Sequence, residues 1–200
     1  MLTLVNDRED YLKLSHYIDG NDEVVRQKAR DLYNASEDDI DFIRNAFHFV
    51  RDEIKHSWDV KDKRVTVTAS QTLKEGVGIC YAKSNLLAAL LRLEGIPAGI
   101  CYQRLTLGDT PDSGYCIHAL NAVYLKTLDK WIRLDARGNK ETVHAEFSLD
   151  QEMLAFQIRP EYDEIDYSEV YAEPIKETMQ VLENSDDAIF MYLNNLPERI

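Results

Sequence analysis

Cysteine is scarce in this 200-residue sequence, and its three copies, Cys80, Cys101 and Cys116, form no Cys-x-x-Cys pair. An odd number of cysteines without such a pair supports neither a disulfide framework nor a structural zinc site. We therefore expect three free thiols, whose roles depend on their individual surroundings.

Long apolar runs are missing as well. No window approaches the roughly 18 consecutive apolar residues that a membrane-spanning helix needs. The opening residues, MLTLVNDREDYLKLSHY, lack the basic segment and unbroken apolar core of a secretion signal. These two absences predict a protein without a membrane segment, located in the cytoplasm.

Positive charge is in short supply, because 23 Lys and Arg residues face 36 Asp and Glu residues and leave a formal net charge of −13. Proteins bind nucleic acids largely by neutralising phosphates with Lys and Arg, so a nucleic-acid partner is disfavoured. The sequence also lacks internal repeats and Gly-, Ser- or Pro-rich linkers. We therefore expect a single domain over residues 1–200.

The first third of the sequence has a helical pattern. A short helix is expected around residues 23–33, and Ser36, three residues before Asp39, resembles the N-cap of a longer one. Residues 55–76 are expected to be a loop with a short extended piece. Near the end, Pro174 and Ser185 are expected to start two short helices. The longer helix is supported by apolar residues at spacings of three and four, namely Ile40, Ile43, Phe47, Val50 and Ile54.

The middle of the sequence predicts the core of the fold. The stretch GVGICYAKSNLLAALLRLEGIPAG, residues 76–99, predicts a helix from about Cys80 to Glu94 that ends at Gly95 and Pro97. Its centre is apolar on all sides, so it should be buried. Three segments rich in aromatic and β-branched residues follow and predict an antiparallel meander, AGICYQRL, YCIHALNAVYL and KWIRLDA. The expected class is α+β, with a buried helix packed on an antiparallel sheet.

Cys80 is the residue of chief chemical interest. A thiol is a good nucleophile only as thiolate, and backbone amides at a helix N-terminus favour that form. Cys80 occupies such a position, and its own N–H could stabilise an oxyanion. Packing is the competing interpretation, because buried free cysteines are common.

A cysteine nucleophile needs a base and a group that orients the base, and His118 and Asp135 could fill these roles. They lie on consecutive predicted strands and face each other directly only if the chain reversal is centred at Lys126 and Thr127. A reversal centred at Leu128 and Asp129 would place them about 13 Å apart, at ~3.4 Å per residue. The residues alone do not decide between the two registers.

Three segments together resemble the transglutaminase-like superfamily in order and spacing. They are ASQTLKEGVGICYAKSNLLAALLRLEGIPAG, then HALNAVYL, then KWIRLDARGNK, with a weaker likeness in FVRDEIKHSWD. They contain the Gly-x-Gly-x-Cys helix start, the LLRxxGIPA helix end, the His-led strand and the W-x-x-x-D strand. The resemblance covers about residues 65–140.

The resemblance implies a papain-like core with Cys80 as nucleophile, His118 as general base and acid, and Asp135 as the residue that orients His118. It implies attack on a Gln, Asn or peptide amide of a protein or peptide substrate to form a thioester, followed by hydrolysis or transfer to an amine. It implies no cofactor, and the calcium sites and extra β-domains of the animal enzymes have no room in 200 residues. It does not distinguish cross-linking from deamidation or proteolysis.

Other residues and other functions stay open at this point. Gln71 or Trp58 could contribute a donor to the oxyanion, although a loop glutamine and an apolar plug are the plainer interpretations. Cys116 shares a strand face with His118, so a redox pair or a metal site built from Cys80, Cys116 and His118 is conceivable, and a core thiol is the plainer interpretation. A catalytically idle scaffold that binds a peptide or partner protein is the alternative function.

Overall fold

The computed structural model describes residues 2–108 and 110–200. Seven α-helices lie within these residues: α1 (Glu23–Asn34), α2 (Asp39–Glu53), α3 (Ser57–Val60), α4 (Ala69–Glu75), α5 (Cys80–Leu93), α6 (Lys176–Glu183) and α7 (Ala188–Asn194). The strands are β1 (Thr3–Leu4), β2 (Lys55–His56), β3 (Val77–Gly78), β4 (Ala98–Thr106), β5 (Tyr115–Leu125), β6 (Lys130–Leu134), β7 (Ile165–Asp166) and β8 (Glu169–Val170).

The main sheet has four strands in the order β6-β5-β4-β7, and all of its pairs are antiparallel. The predicted meander of three strands is therefore confirmed, and β7 adds a short fourth strand beyond it. Two short parallel pairs, β1 with β8 and β2 with β3, lie outside this sheet. The pairing of β2 with β3 brings His56 beside Gly78, close to the start of α5.

Helix α5 is the centre of the molecule, as predicted from its apolar sequence. Every residue from Cys80 to Arg92 is buried, because α1, α2 and α4 pack against the helix together with strands β4 and β5. The helix ends one residue earlier than expected, at Leu93, and Gly95 follows in the left-handed conformation at φ +75°. Burial on all sides fixes the position of the helix N-terminus, and with it the position of Cys80.

The N-cap residue of α2 differs from the prediction. The helix is capped by Asp38, whose carboxylate accepts a hydrogen bond from the Asp41 N–H. Ser36 instead donates its hydroxyl to the carbonyl of Leu32 in the preceding helix. A carboxylate is also favoured at this position by the positive end of the helix dipole.

The two helices near the end of the chain exist as expected, but each begins later than predicted. Pro174 precedes the N-cap of α6, which is Ile175. Helix α7 is capped by Asp187, which accepts from the N–H groups of Ile189 and Phe190. Ser185 instead donates to a carbonyl of α6, which explains why it does not cap α7.

The prediction of a loop over residues 55–76 is wrong. This segment contains β2, α3 and α4, and α4 begins with a capping box. The Thr68 hydroxyl accepts from the Gln71 N–H, and the Gln71 side chain accepts from the Thr68 N–H. Thr68 followed three residues later by Gln71 is a sequence signature of a helix start, so this helix could have been recognised.

The lengths of the helices also bear on membrane insertion. None of the helices within residues 2–108 and 110–200 is both long enough and apolar enough to cross a membrane.

Candidate active site

Cys80 is the first residue of α5 and follows a tightly packed turn. Gly76 adopts the left-handed conformation at φ +66°. A side chain on Gly78 would bring its Cβ within 2.7 Å of the Thr66 hydroxyl oxygen, so only glycine fits there. The N–H groups of the first helical turn have no intrahelical acceptors and point toward the N-terminal end of α5. The thiol of Cys80 therefore lies where a negative charge is stabilised.

His118 and Asp135 are hydrogen bonded to each other, with Nε2 of His118 2.8 Å from Oδ2 of Asp135. Neither of the two registers considered from the sequence is the observed one. Leu125 pairs with Lys130 and Asn121 with Leu134, so the reversal is centred between Thr127 and Leu128. Asp135 follows the last paired residue and is two positions out of register with His118, on the same sheet face. A diagonal contact of this kind is within reach of long side chains.

The carboxylate of Asp135 is held by backbone groups as well as by His118. Its Oδ1 accepts from the Arg137 N–H at 3.2 Å, and its Oδ2 accepts from the Ala155 N–H at 3.1 Å. Burial would raise the pKa of Asp135, but the positive His118 and these hydrogen bonds lower it below its usual value. Asp135 is therefore an anion in a fixed orientation, which in turn fixes the His118 ring.

The His118 ring is buried beside the carboxylate of Asp135. Burial alone would lower the pKa of His118, but the charges of Asp135 and Cys80 and the hydrogen bonds to both raise it to about 10. Since Nε2 is bonded to Asp135, Nδ1 is the ring nitrogen left for another partner. The imidazolium form of His118 is therefore favoured at the wall of the cavity that Cys80 also lines.

Cys80 and His118 both line a cavity of about 420 Å³. This volume is within the range of small-molecule and peptide side-chain sites. The cavity wall combines residues from distant parts of the chain, among them His56, Phe156, Arg159 and Tyr192. The edge of the Phe156 ring faces His118, with centroids 5.1 Å apart, so the imidazole is shielded from bulk water.

The other two thiols differ from Cys80 in their surroundings. All three cysteines are free thiols. Cys101 is fully buried in the sheet, and burial raises its pKa to about 12. Cys116 lines the same cavity as Cys80, but burial, together with the negative charges of Cys80 and Glu164, raises its pKa to about 12. Both surroundings favour the neutral thiol, so Cys80 is the better candidate for a nucleophile.

The two side chains considered from the sequence as oxyanion donors lie outside the cavity wall. Gln71 is exposed and its side chain caps α4. Trp58 is stacked on Tyr192 at 4.4 Å between ring centroids, and the ammonium of Lys61 lies 3.4 Å from the centre of the Trp58 ring. Gln71 is therefore a helix-capping residue rather than the loop glutamine expected, and Trp58 packs on Tyr192 of α7 rather than behind α2.

Two features of the site were not recognised in the sequence. His56 is buried at the cavity wall, and its Nδ1 has no hydrogen-bond partner among the described residues. Arg137 forms a bidentate ion pair with Asp59 at 2.5 and 2.9 Å, and Asp59 is also 3.6 Å from the ammonium of Lys140. No short motif marks either feature, because strand pairing and the loop after β6 bring these residues together.

The structure gives no support to the metal site considered from the sequence. Among residues 2–108 and 110–200, no three His, Cys, Asp or Glu side chains converge as a metal site, and Cys80, Cys116 and His118 are no exception. Three ligands are the usual minimum for a protein-bound catalytic metal.

A comparison with models of known protein families identifies the family of this chain. The model of the transglutaminase-like superfamily matches residues 26–136, which is more than half of the chain. The chain belongs to the transglutaminase-like superfamily. The matched region contains α2, α4, α5 and strands β4 to β6, and it includes Cys80, His118 and Asp135. The family resemblance expected from the sequence is thus confirmed. Among curated proteins, no sequence matches this family member significantly.

The solved structures that resemble this one are distant in sequence. A candidate cysteine protease from Cytophaga hutchinsonii aligns with a TM-score of 0.53 at 20% identity, over 66% of this chain and 42% of that one. The periplasmic domain of TgpA from Pseudomonas aeruginosa aligns with a TM-score of 0.46 at 18% identity, over 66% and 48% of the two chains. The aligned region therefore makes up less than half of each of these structures. The predicted α+β, papain-like class with a buried central helix is confirmed.

Proposed function

We propose that this protein is a cysteine-dependent enzyme that attacks an amide of a protein or peptide substrate and forms a thioester on Cys80. The observation that carries the proposal is the buried hydrogen bond of 2.8 Å between His118 and Asp135, on a ring that lines the same cavity as the Cys80 thiol. An inert packing cysteine has no need of a charged partner beside it. Membership of the superfamily supports the general chemistry.

The proposed reaction has two halves. The Cys80 thiolate adds to the carbonyl carbon of the substrate amide, and the electron pair of the C=O bond moves to oxygen. When the carbonyl re-forms, the C–N bond breaks and His118 donates its proton to the leaving amine. The neutral imidazole then accepts a proton from water or from an acceptor amine, which attacks the thioester and regenerates the Cys80 thiolate.

The role proposed for Asp135 is to orient the imidazole and to stabilise it in the protonated form. Its two backbone hydrogen bonds fix the carboxylate independently of His118. The substrate classes we propose are the side-chain amides of Gln and Asn and the peptide bond. Both water and a primary amine are chemically suitable acceptors for a thioester, and no cofactor is needed in either case.

The proposal is tested by incubating the protein with a glutamine-containing peptide, with and without a primary amine such as cadaverine. Ammonia release and the mass of the peptide are measured together. Ammonia with a mass increase of about one dalton indicates deamidation, ammonia with amine incorporation indicates transfer, and shorter peptides indicate proteolysis. Each of these results supports the thioester route only if it disappears in Cys80→Ala.

A matched control is available in the same chain. Cys101→Ala removes a buried thiol that does not line the cavity, so its turnover should equal that of the wild-type protein. Equal turnover by Cys80→Ala and Cys101→Ala would contradict the proposal. Tight peptide binding with no turnover and no thioester would instead favour the idle binding scaffold.

A further inference from the structure

His56 is a buried polar residue that the chemistry of Cys80, His118 and Asp135 does not use. It is 5% exposed, it lines the cavity together with Cys80, and its Nδ1 has no hydrogen-bond partner in the part of the chain that the structure describes. Nδ1 has almost no accessible surface, so the ring meets the cavity through its other edge, which carries Nε2. No hydrogen-bond partner of Nε2 lies among the described residues, so this nitrogen is available to a molecule bound in the cavity.

The backbone places His56 beside the nucleophile. Strands β2 and β3 pair in parallel, with His56 opposite Gly78, two residues before Cys80. The absence of a side chain at Gly78 allows this turn to pack closely against Thr66 and Ala82. The ring of His56 also meets the edge of Tyr192 at 6.4 Å between centroids. These contacts hold the imidazole in place before a substrate arrives.

The charges that act most strongly on His56 are positive. Burial, followed by the positive charges of Arg137 and Lys83, lowers the pKa of His56 well below its usual value. The ring is therefore neutral at neutral pH and carries one N–H. A neutral imidazole can donate this N–H to an anion without changing its own charge.

We propose that His56 is a catalytic residue that donates a hydrogen bond from Nε2–H to the oxyanion formed when the Cys80 sulfur adds to the substrate carbonyl. The backbone N–H of Cys80, which is one of the first-turn amides without an intrahelical acceptor, is the second donor. The bond from sulfur to carbon forms as the C=O electron pair moves to oxygen, and the two donors hold that oxygen until the leaving group departs.

This inference rests on the proposed function, because it requires acyl chemistry at Cys80. It gives the donor role to a residue other than Gln71 or Trp58. Gln71 uses its side-chain oxygen at the start of α4, and the indole of Trp58 is stacked outside the cavity wall. His56 is a buried cavity residue whose Nε2 has accessible surface and no partner among the described residues, as an oxyanion donor requires.

The test separates reactions that form an oxyanion from one that does not. Acylation of Cys80 by 4-nitrophenyl acetate passes through a tetrahedral oxyanion, and release of nitrophenolate measures its rate. Alkylation of Cys80 by iodoacetamide displaces iodide at a saturated carbon and forms no oxyanion, so it reports only on the thiolate. Both rates are measured for wild-type protein and for His56→Phe, His56→Gln and Trp58→Phe.

His56→Phe removes the donor and keeps an aromatic ring beside Tyr192. We expect its acylation rate to fall about 100-fold or more, as for the loss of one oxyanion donor, while alkylation stays within about threefold of wild type. His56→Gln places an amide N–H near the former Nε2, so it should retain acylation within about tenfold. Trp58→Phe keeps the stacking and should acylate like wild type. Should Phe prevent folding, His56→Ala carries the same test.

The outcomes that overturn the inference are distinct from those that overturn the proposed function. No Cys80-dependent acylation by wild-type protein overturns both. Normal acylation by His56→Phe, or an equal loss of acylation and alkylation, overturns the role of His56 alone. A loss confined to hydrolysis of the acyl-enzyme would make His56 an activator of water, and a loss in Trp58→Phe would return the donor role to the indole.

Discussion

At the scale of single residues, the site depends on how His118 and Asp135 divide their charges. Both side chains are buried, and burial disfavours the charged form of each. Their mutual attraction exceeds this effect, so the pKa of His118 is raised and that of Asp135 is lowered. Two backbone N–H groups complete the shell of the carboxylate, which is the condition under which a buried ion pair is stable.

The pair of His118 and Asp135 is expected to make a pH-dependent contribution to the free energy of unfolding. His118 has a raised folded pKa, so its contribution is full below pH 6.5 and is lost as the pH rises through about 10. Asp135 has a lowered folded pKa, so its contribution is present above about pH 3.9 and is lost as the pH falls further. The full contribution of the pair is therefore expected between about pH 4 and 6.5.

Asp135→Asn tests this window. Removing one partner of a buried pair should lower the free energy of unfolding by about 3 kcal/mol near pH 5.5, with a smaller difference at pH 9.5. Urea denaturation of wild type and variant at both pH values measures the two differences. A difference that is the same at pH 5.5 and 9.5 would show that the pair is not charged as described.

At the scale of elements, α5 combines an apolar sequence with two buried cations that satisfy the backbone of its neighbours. The Lys83 ammonium donates to the carbonyls of Arg51 and Ile54, where α2 ends. The Arg92 guanidinium donates to carbonyls of three other segments, among them Ala98 at the start of β4. Burial lowers the pKa of Lys83 to about 7 and that of Arg92 to about 10. These bonds tie both ends of α5 to the surrounding chain.

Helix α4 gives a prediction about the approach to Cys80. Thr68→Ala removes the hydroxyl of its capping box and should lower the free energy of unfolding by about 1 kcal/mol. Thr127→Ala, at an exposed position in the turn between β5 and β6, should change it by less than about 0.5 kcal/mol. Urea denaturation at pH 7 compares the two, and equal effects would contradict the importance of the cap.

The sequence allowed the elements of the core to be predicted, because each has a strong local pattern. The bounds of β5 agree with the predicted segment, and those of α5 and β4 differ by one residue at a single end. The register of β6 could not be predicted, because it depends on the short helical turn Lys126–Leu128 and on Asp129 in the left-handed conformation. The proposed role of His56 could not be predicted either, because it depends on pairing with Gly78, a contact between strands of two residues each.

At the scale of the whole molecule, the Cys80 thiol lies at the surface of the core rather than within it. Cys80 belongs to the main apolar cluster but keeps 9% exposure through the cavity. The cavity wall is built from the first half of the chain, the sheet and α7, so chain segments distant in sequence must fold together to form it. The single domain over residues 1–200 and the cytoplasmic location stay predictions.

Because the Cys80 thiol lies at the edge of the core, we expect its replacement to abolish activity without unfolding the protein. Cys80→Ala should abolish turnover and thioester formation while it changes the free energy of unfolding by no more than about 1 kcal/mol, because a small side chain is replaced by another. Activity and urea denaturation are measured on the same preparation. Global unfolding of the variant would indicate that Cys80 is a packing residue.

The most direct test of the central claim is the reactivity of Cys80 at pH 6, with and without His118. Protein is treated with iodoacetamide, and the modified cysteines are identified by peptide mass spectrometry. We expect rapid alkylation of Cys80 alone in the wild-type protein and a loss of about 100-fold in His118→Ala, the scale of one general acid–base group. Slow and equal alkylation of Cys80, Cys101 and Cys116, unchanged by His118→Ala, would contradict the account.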